Sequence, residues 1–436
     1  MKKHLYRSIV LTVILLATAA TAISQYKELS PVTPAAEPQH SEKYIPGEYI
    51  VFLKNDIPKE KVKTTADKLS EKFNGKVIDY FTALKGFSAR MSEVSAGKLK
   101  FHPAVQLVSR NSYLAGDPSA LTEQKYAGWG LDRIDQRDLP LNGKYLYSLN
   151  GRGVHIFVLD SGINAEHGDF TGRVAPPYNP SQPWDKNVSM NFALEYNAGE
   201  IDPANLTDCS GHGTAVASIA AGWELGVAKA ATVHALRIEN CNGLRDKRWI
   251  INAFNWVLDN HRYLSGPSIV NFSYNFVINP DNEDIEAAVE RLAAEVAVVN
   301  SAGNNNKNTS NVIPSRLYNP GVIVVGASDQ YDRRYYDSST GLGSNYGGSV
   351  DVFAPGVNVS AARHDDSMRG KRVSGTSFAA PYVTGLGALY LQTAPTATPA
   401  MVESYIKQSA TPNKINFTVN QNGYILNFSE SLLYTR

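Results

Sequence analysis

Cysteine is almost absent from this chain, with only Cys209 and Cys241 among 436 residues. That scarcity excludes a disulfide-dense scaffold and leaves stability to buried apolar surface. An excess of either charge is missing too: 42 Lys and Arg face 41 Asp and Glu, a formal net charge of +1. The charges are interleaved, so no basic stripe points to nucleic acid and no field of one sign to a strongly acidic partner. Long apolar runs are lacking beyond one near the start, from Ile9 to Ala20. A bilayer span needs roughly 20 apolar residues, which this run does not reach. Internal repeats and long low-complexity tracts are absent as well.

That short run has another reading. It follows the basic stretch Met-Lys-Lys-His-Leu-Tyr-Arg and precedes Ala20-Thr21-Ala22, the order of a secretory signal peptide over residues 1–22. No cysteine lies near the cleavage region, so the expectation is a soluble exported protein without a lipid anchor. Residues 23–47, with Ser30-Pro31-Val32-Thr33-Pro34, read as a flexible spacer. Residues 48–114 then follow a β-α-β-β-α-β order, with strands at 48–54, 75–81, 86–91 and 105–109 and helices at 59–73 and 92–101. This predicts a small α+β domain of ferredoxin-like type. Gly116-Asp117-Pro118-Ser119 marks a linker over 115–128, and residues 129–436 form a large domain. There, apolar strands at 154–159, 232–238, 268–273, 296–300 and 322–325 alternate with helices at 214–221, 249–260, 284–294 and 377–391. The pattern predicts a three-layer α/β fold, a mostly parallel sheet with helices on both faces, whose functional groups collect at the carboxyl ends of the strands.

Gly375-Thr-Ser-Phe-Ala-Ala-Pro381 opens the last of those helices. Ser377 is there either a helix cap or a nucleophile. Capping fits poorly, because Pro381 would then take the position whose N–H should meet the Ser377 carbonyl, and proline has no N–H. Three other motifs sit where the fold would place a site: Asp160 in Val158-Leu-Asp-Ser-Gly162, His212 in Gly211-His-Gly-Thr214, and Asn304 in Ser301-Ala-Gly-Asn304. Each alone reads as a turn residue, a cap or a structural histidine. Together they supply what acyl-bond hydrolysis requires: a nucleophilic oxygen, a base, an acid group to orient the base, and a donor for the developing oxyanion.

With these motifs in this order, the chain from about Trp129 onward resembles the subtilisin-like serine proteases (subtilases), and within them the proteinase K-like subfamily. Further matching stretches are Gly128-Trp-Gly-Leu131, Val325-Gly-Ala-Ser-Asp329 and Asp332-Arg-Arg334. The resemblance implies a serine endopeptidase in which Ser377 attacks the scissile carbonyl, His212 acts as general base and then acid, and Asp160 holds the imidazole. Asn304 and the Ser377 backbone N–H would receive the oxyanion. It further implies that residues 48–114 are an inhibitory propeptide and folding chaperone, cut away by self-cleavage between Leu114 and Trp129. Substrates are expected to be proteins or peptides, lying as an extended strand against Ser273-Tyr274-Asn275, with cleavage after aromatic or aliphatic residues. No catalytic cofactor is expected, and the mature enzyme is expected to be a secreted monomer.

Cys209, three residues before His212, could join it and Cys241 in holding a metal, or the two cysteines could pair. The resemblance implies pairing, Cys209 with Cys241. It also implies a structural Ca²⁺ held by Asp351 and by the carbonyls of Pro320 and Val322. Three positions depart from the family's habit: Asn275 where glycine is usual, Ala215 where a histidine is usual, and Phe378 where methionine is usual. Asn275 and Ala215 motivate an alternative, a binding protein whose propeptide stays bound after a single self-cleavage. An esterase is a weaker alternative, since a propeptide and an edge strand both imply an extended peptide ligand.

Overall fold

The computed structural model describes residues 43–113, 121–170, 172–177, 188–191, 205–421 and 424–435. The expected leader and nearly all of the spacer lie outside them. The chain divides into two compact units between Pro118 and Ser119.

The small unit runs β1 (Lys43–Leu53), α1 (Val62–Lys72), β2 (Lys76–Phe81), β3 (Gly86–Arg90), α2 (Glu93–Leu99) and β4 (Val105–Tyr113). Its sheet has the order β2-β3-β1-β4, antiparallel throughout, the arrangement of a ferredoxin-like fold. Val51, Val62, Leu69, Phe87 and Leu99 close its core. One boundary differs from expectation. β1 begins at Lys43 rather than Glu48, because Gly47, at φ +73°, absorbs an irregularity in the pairing with β4 and the strand continues on its far side. Residues 43–47 are therefore strand, not spacer.

In the large unit the strands are β5 (His155–Asp160), β6 (Met190–Asn191), β7 (Thr232–Arg237), β8 (Ser268–Phe272), β9 (Ala297–Ser301), β10 (Val322–Ser328), β11 (Val352–Pro355), β12 (Thr411–Gln421) and β13 (Tyr424–Leu432). Among the described residues they form one sheet of order β12-β13-β11-β10-β9-β8-β5-β7-β6. All neighbours are parallel except the β12–β13 hairpin. Alternation along each strand feeds two cores. Ile156, Val158, Ile269 and Val299 face α3 (His212–Ala221), α6 (Thr376–Thr393) and α7 (Pro399–Ser409). Phe157, Leu159, Val270 and Val298 face α4 (Lys247–Asn260) and α5 (Glu283–Ala293). Strands buried on both sides read as continuous apolar runs, which is why they are visible in the sequence.

Two further elements depart from expectation. The four residues Thr122–Lys125, placed in the linker, pair with Lys144–Tyr147 of the large unit and carry a Glu123–Lys144 ion pair at 2.7 Å. The β12–β13 hairpin, which no apolar run announces, tethers its base to the sheet edge through Ile415 and Leu432.

Helices α3 and α6 lie against each other with little space between them. A Cβ on Gly385 would come within 2.5 Å of the Val227 side chain and 2.9 Å of the Ala220 carbonyl, so only glycine permits this approach. The consequence is functional, because His212 opens α3 and Ser377 lies in the first turn of α6.

Candidate active site

The strand ends supply half of the site. In the parallel register Leu159 lies beside Phe272, and Phe272 beside Asn300, so Asp160, Ser273 and Ser301 come out in one row at the carboxyl edge. Asp160 is 1% exposed. Its Oδ1 accepts the Ser161 backbone N–H at 2.8 Å, and the His212 Nδ1 lies 2.8 Å from Oδ1 and 3.0 Å from Oδ2. Gly213 makes this contact possible: a Cβ there would stand 2.2 Å from the Gly162 carbonyl and 3.0 Å from the Asp160 Cβ.

The helix start carrying His212 is held by a residue that motif reading overlooked. The buried Asp208 carboxylate accepts backbone N–H groups from Ser210 (3.1 Å), Gly211 (2.7 Å) and Thr214 (2.9 Å), as well as the Ser161 and Thr214 hydroxyls. It thereby satisfies N–H groups that a helix start leaves free and ties them to the Asp160 turn. The His212 side chain is 26% exposed and opens onto the cleft. Burial pushes its pKa down, but the Asp160 carboxylate, by charge and by hydrogen bond, outweighs burial, with Glu239 and Asp208 adding, so the net direction is up.

The other half of the site comes from α6. Gly375 is its cap and Thr376 its first residue, so Ser377 lies inside the helix and does not cap it. The helix continues through Pro381 rather than breaking. The Ser377 carbonyl, which Pro381 cannot serve, accepts the Ser273 hydroxyl at 3.1 Å. In return Ser377 Oγ donates to the Ser273 carbonyl at 3.2 Å. Ser273 is in turn held by Asn271, wholly buried, whose amide also accepts the Thr384 hydroxyl of α6 at 2.9 Å. Asn304 follows β9, and its Oδ1 accepts the Thr376 N–H at 2.8 Å. That bond leaves the amide nitrogen as the donor facing the cleft.

His212, Ser273, Tyr274, Asn275, Asn304 and Ser377 thus line one cleft of about 560 Å³. The three expected substrate contacts differ in what their side chains do. That of Ser273 supports Ser377. Tyr274, 8% exposed, directs its hydroxyl to Asp160 (3.3 Å) and Glu239 (3.0 Å). Asn275 turns its amide into the floor, donating to the Ser301 carbonyl (2.7 Å) and the Ser315 hydroxyl (2.6 Å) and accepting the Ser301 hydroxyl (3.1 Å). Ala215 is fully buried on α3, and the Phe378 ring lies 5.2 Å from that of His212.

Cys209 and Cys241 are joined in a disulfide with their Cα atoms 5.1 Å apart. Both sulfurs are consumed, which removes the metal reading at His212 and fastens the loop after β7 to the loop before α3.

The calcium expectation does not fit the donors present. Asp351 Oδ1 holds the Lys407 ammonium at 2.7 Å, and Oδ2 accepts the Val324 N–H at 2.9 Å. Beside Pro320 and Val322, the Gly321 N–H goes to Glu403, which also meets Lys407, at 3.3 Å. The cation of this site is a lysine of α7, and among the described residues no group of three or more His, Cys, Asp or Glu side chains could hold a metal. Replacing Lys407 with Met strands a largely buried carboxylate, while the half-exposed lysine limits the loss to about 1 kcal/mol, or roughly 2–4 °C in Tm. Differential scanning calorimetry on the Ser377→Ala background, which prevents self-digestion, is expected to show that decrease and no rise in Tm when calcium is added to the Lys407-containing protein.

Comparisons with known proteins identify the family of this fold. The family model described as "Subtilase family" matches residues 151–424. An extracellular serine proteinase of Thermus sp. (strain Rt41A) is 36% identical over 356 residues, covering 82% of this chain and 77% of its own. Proteinase R of Parengyodontium album is 31% identical over 405 residues, covering 92% of this chain and 93% of its own. A crystal structure of a cold adapted subtilisin-like serine proteinase superposes with a TM-score of 0.58 at 34% identity, covering 72% of this chain and 99% of that one. A family match across most of the large unit, a relative 36% identical over 82% of the chain and a solved structure of subtilisin-like fold place this chain in the subtilase family of serine proteases.

Proposed function

We propose that the chain is a secreted, self-processing serine endopeptidase working through Asp160, His212 and Ser377. The observation that carries this reading is the hydrogen bond between the buried Asp160 and His212, whose side chain lines the same cleft as Ser377 and Asn304. Subtilases need no catalytic cofactor, so the chemistry rests on these side chains. Turning Ser377 Oγ away from the Ser273 carbonyl frees it to pass its proton to the outer nitrogen of His212 as it attacks the substrate carbonyl. Asp160 keeps the Nδ1–H in place and stabilises the imidazolium that forms. The oxyanion meets the Asn304 amide nitrogen and the Ser377 backbone N–H at the start of α6, where the helix dipole also favours negative charge. The imidazolium then gives its proton to the leaving amine, and water repeats the cycle on the acyl-enzyme. Because the His212 pKa is raised, the neutral base is populated only above that value, so the acidic limb of activity lies above the ordinary imidazole range.

The small unit is the inhibitor and folding aid of this enzyme, consistent with its placement before the catalytic unit. Since Thr122–Lys125 is already a strand of the large unit, the self-cleavage bond falls between Leu114 and Leu121. Export rests on the leader and on relatives named as extracellular proteinases or exoproteases. The substrate is an extended peptide bound to the backbone of 273–275, and the residue before the cut is aliphatic or aromatic, with Asn275 favouring the smaller members.

The first test is expression of the chain after Ala22 with and without Ser377→Ala, followed by mass and by casein hydrolysis. The wild type is expected to shorten to a fragment beginning near residues 115–121 and to degrade casein, and the variant to do neither. Shortening with intact casein would instead favour a retained-propeptide binding protein. For specificity, Asn275→Gly is expected to raise kcat/KM for Phe relative to Ala before the cut by about tenfold or more, read on matched peptides.

A further inference from the structure

Beside the His212 ring lies a set of charged groups that acyl transfer does not use. β7 ends at Arg237, and Glu239, just beyond it, is 4% exposed. Glu239 Oε2 meets the Arg245 guanidinium at 2.6 Å and accepts the Tyr274 hydroxyl at 3.0 Å. The same hydroxyl lies 3.3 Å from Asp160 Oδ1. A phenol carries one proton, and here it faces two buried carboxylates. The Tyr274 ring is fixed as well, with the Arg245 guanidinium 4.4 Å from its centroid and the His212 ring 5.7 Å away.

We propose that Tyr274 is a positioning residue for Asp160, its hydroxyl proton shared between Asp160 and Glu239, and that the Arg245–Glu239 pair decides how much of that proton Asp160 receives. The inference rests on the reading of Asp160, His212 and Ser377 as a triad. A buried carboxylate without a partner is strongly disfavoured, and Arg245 supplies the partner that lets Glu239 lie buried near Asp160. Glu239 is also the nearer acceptor. While it draws the hydroxyl, Asp160 keeps more of its charge for His212. Burial, together with the Asp160 and Glu239 carboxylates, holds the phenol well above its usual ionisation range, so Tyr274 remains a donor. The disulfide supports the spacing: Cys241 follows Glu239 by two residues and is bonded to Cys209, three residues before His212.

The other charged or titratable groups near His212 come from separate elements. Asp208 lies on the loop before α3, Lys371 donates to the Gly211 carbonyl from the strand Gly370–Val373, and His364 sits against Gly211. None of these three bonds to the Tyr274 hydroxyl.

The test is the pH dependence of kcat and KM on a short chromogenic peptide, for the self-matured full chain and for its Tyr274→Phe and Glu239→Gln variants. Without the hydroxyl, Asp160 presents its charge to His212 undivided. The acidic limb of kcat/KM is expected to move up by roughly half a pH unit, with kcat changed more than KM. Without the Glu239 charge, the hydroxyl turns to Asp160 and a neighbouring negative charge is lost, so the limb is expected to move down by a similar amount. Limbs that stay with the wild type in both variants, even at uniformly lower rates, overturn the proposal and leave Tyr274 as packing. Should Tyr274→Phe fail to mature, a Glu239→Gln limb that does not move still overturns the proposal. A Ser377→Ala control separates the two levels: activity surviving there defeats the triad reading, whereas activity lost there with unmoved limbs defeats only this inference.

Discussion

The hydrogen bond between Asp160 and His212 is the constraint around which the site is arranged. A carboxylate that is 1% exposed is costly to bury unless donors surround it. Asp160 meets that requirement with the Ser161 N–H, the His212 ring and the Tyr274 hydroxyl. The same donors that make its burial tolerable also aim it, so the stability of the buried charge and the orientation of the base are one problem with one solution.

Bringing those donors together takes both kinds of element in the fold. The parallel sheet puts Asp160, Ser273 and Ser301 in one row by register alone, while His212 and Ser377 arrive on the first turns of α3 and α6. Those two helices approach closely because Gly385 leaves room for Val227. Around the contact, polar side chains replace backbone bonds that the geometry cannot make. Asp208 takes the N–H groups of the α3 start, and Ser273 serves the carbonyl that Pro381 leaves unpaired. These supports are buried, and each joins two segments distant in sequence.

That distance explains what the sequence discloses. The large unit's central strands and its principal helices are legible from apolar runs, since strands buried on both faces cannot tolerate interruption. Asp160, His212, Asn304 and Ser377 stand out because each lies within two residues of a glycine at an element boundary. Tyr274 and Asn275 are visible only through the family resemblance, as part of the edge expected to carry the substrate, and nothing local says that one turns to Asp160 and the other into the cleft floor. Asp208 and Glu239 carry no signal of their own, because their roles depend on partners such as Thr214, Tyr274 and Arg245 meeting in space. Lys407 shows the reverse case. Asp351, Pro320 and Val322 suggest a calcium site on their own, and only the packing of α7 reveals that an ammonium already satisfies the carboxylate. The polar strand Thr122–Lys125 has no apolar face to announce it, and the β12–β13 hairpin, where Ile415, Phe417 and Val419 alternate with polar residues, lacks the continuous apolar run that marks the central strands.

The central claim is that Asp160 and His212 together activate Ser377. Reaction of the mature protein with a sulfonyl fluoride, followed by peptide mass mapping, tests it most directly. The account predicts one adduct per chain, on the peptide containing Ser377, formed far more slowly in a His212→Ala variant. Modification at another residue, or an equal rate in that variant, would contradict it.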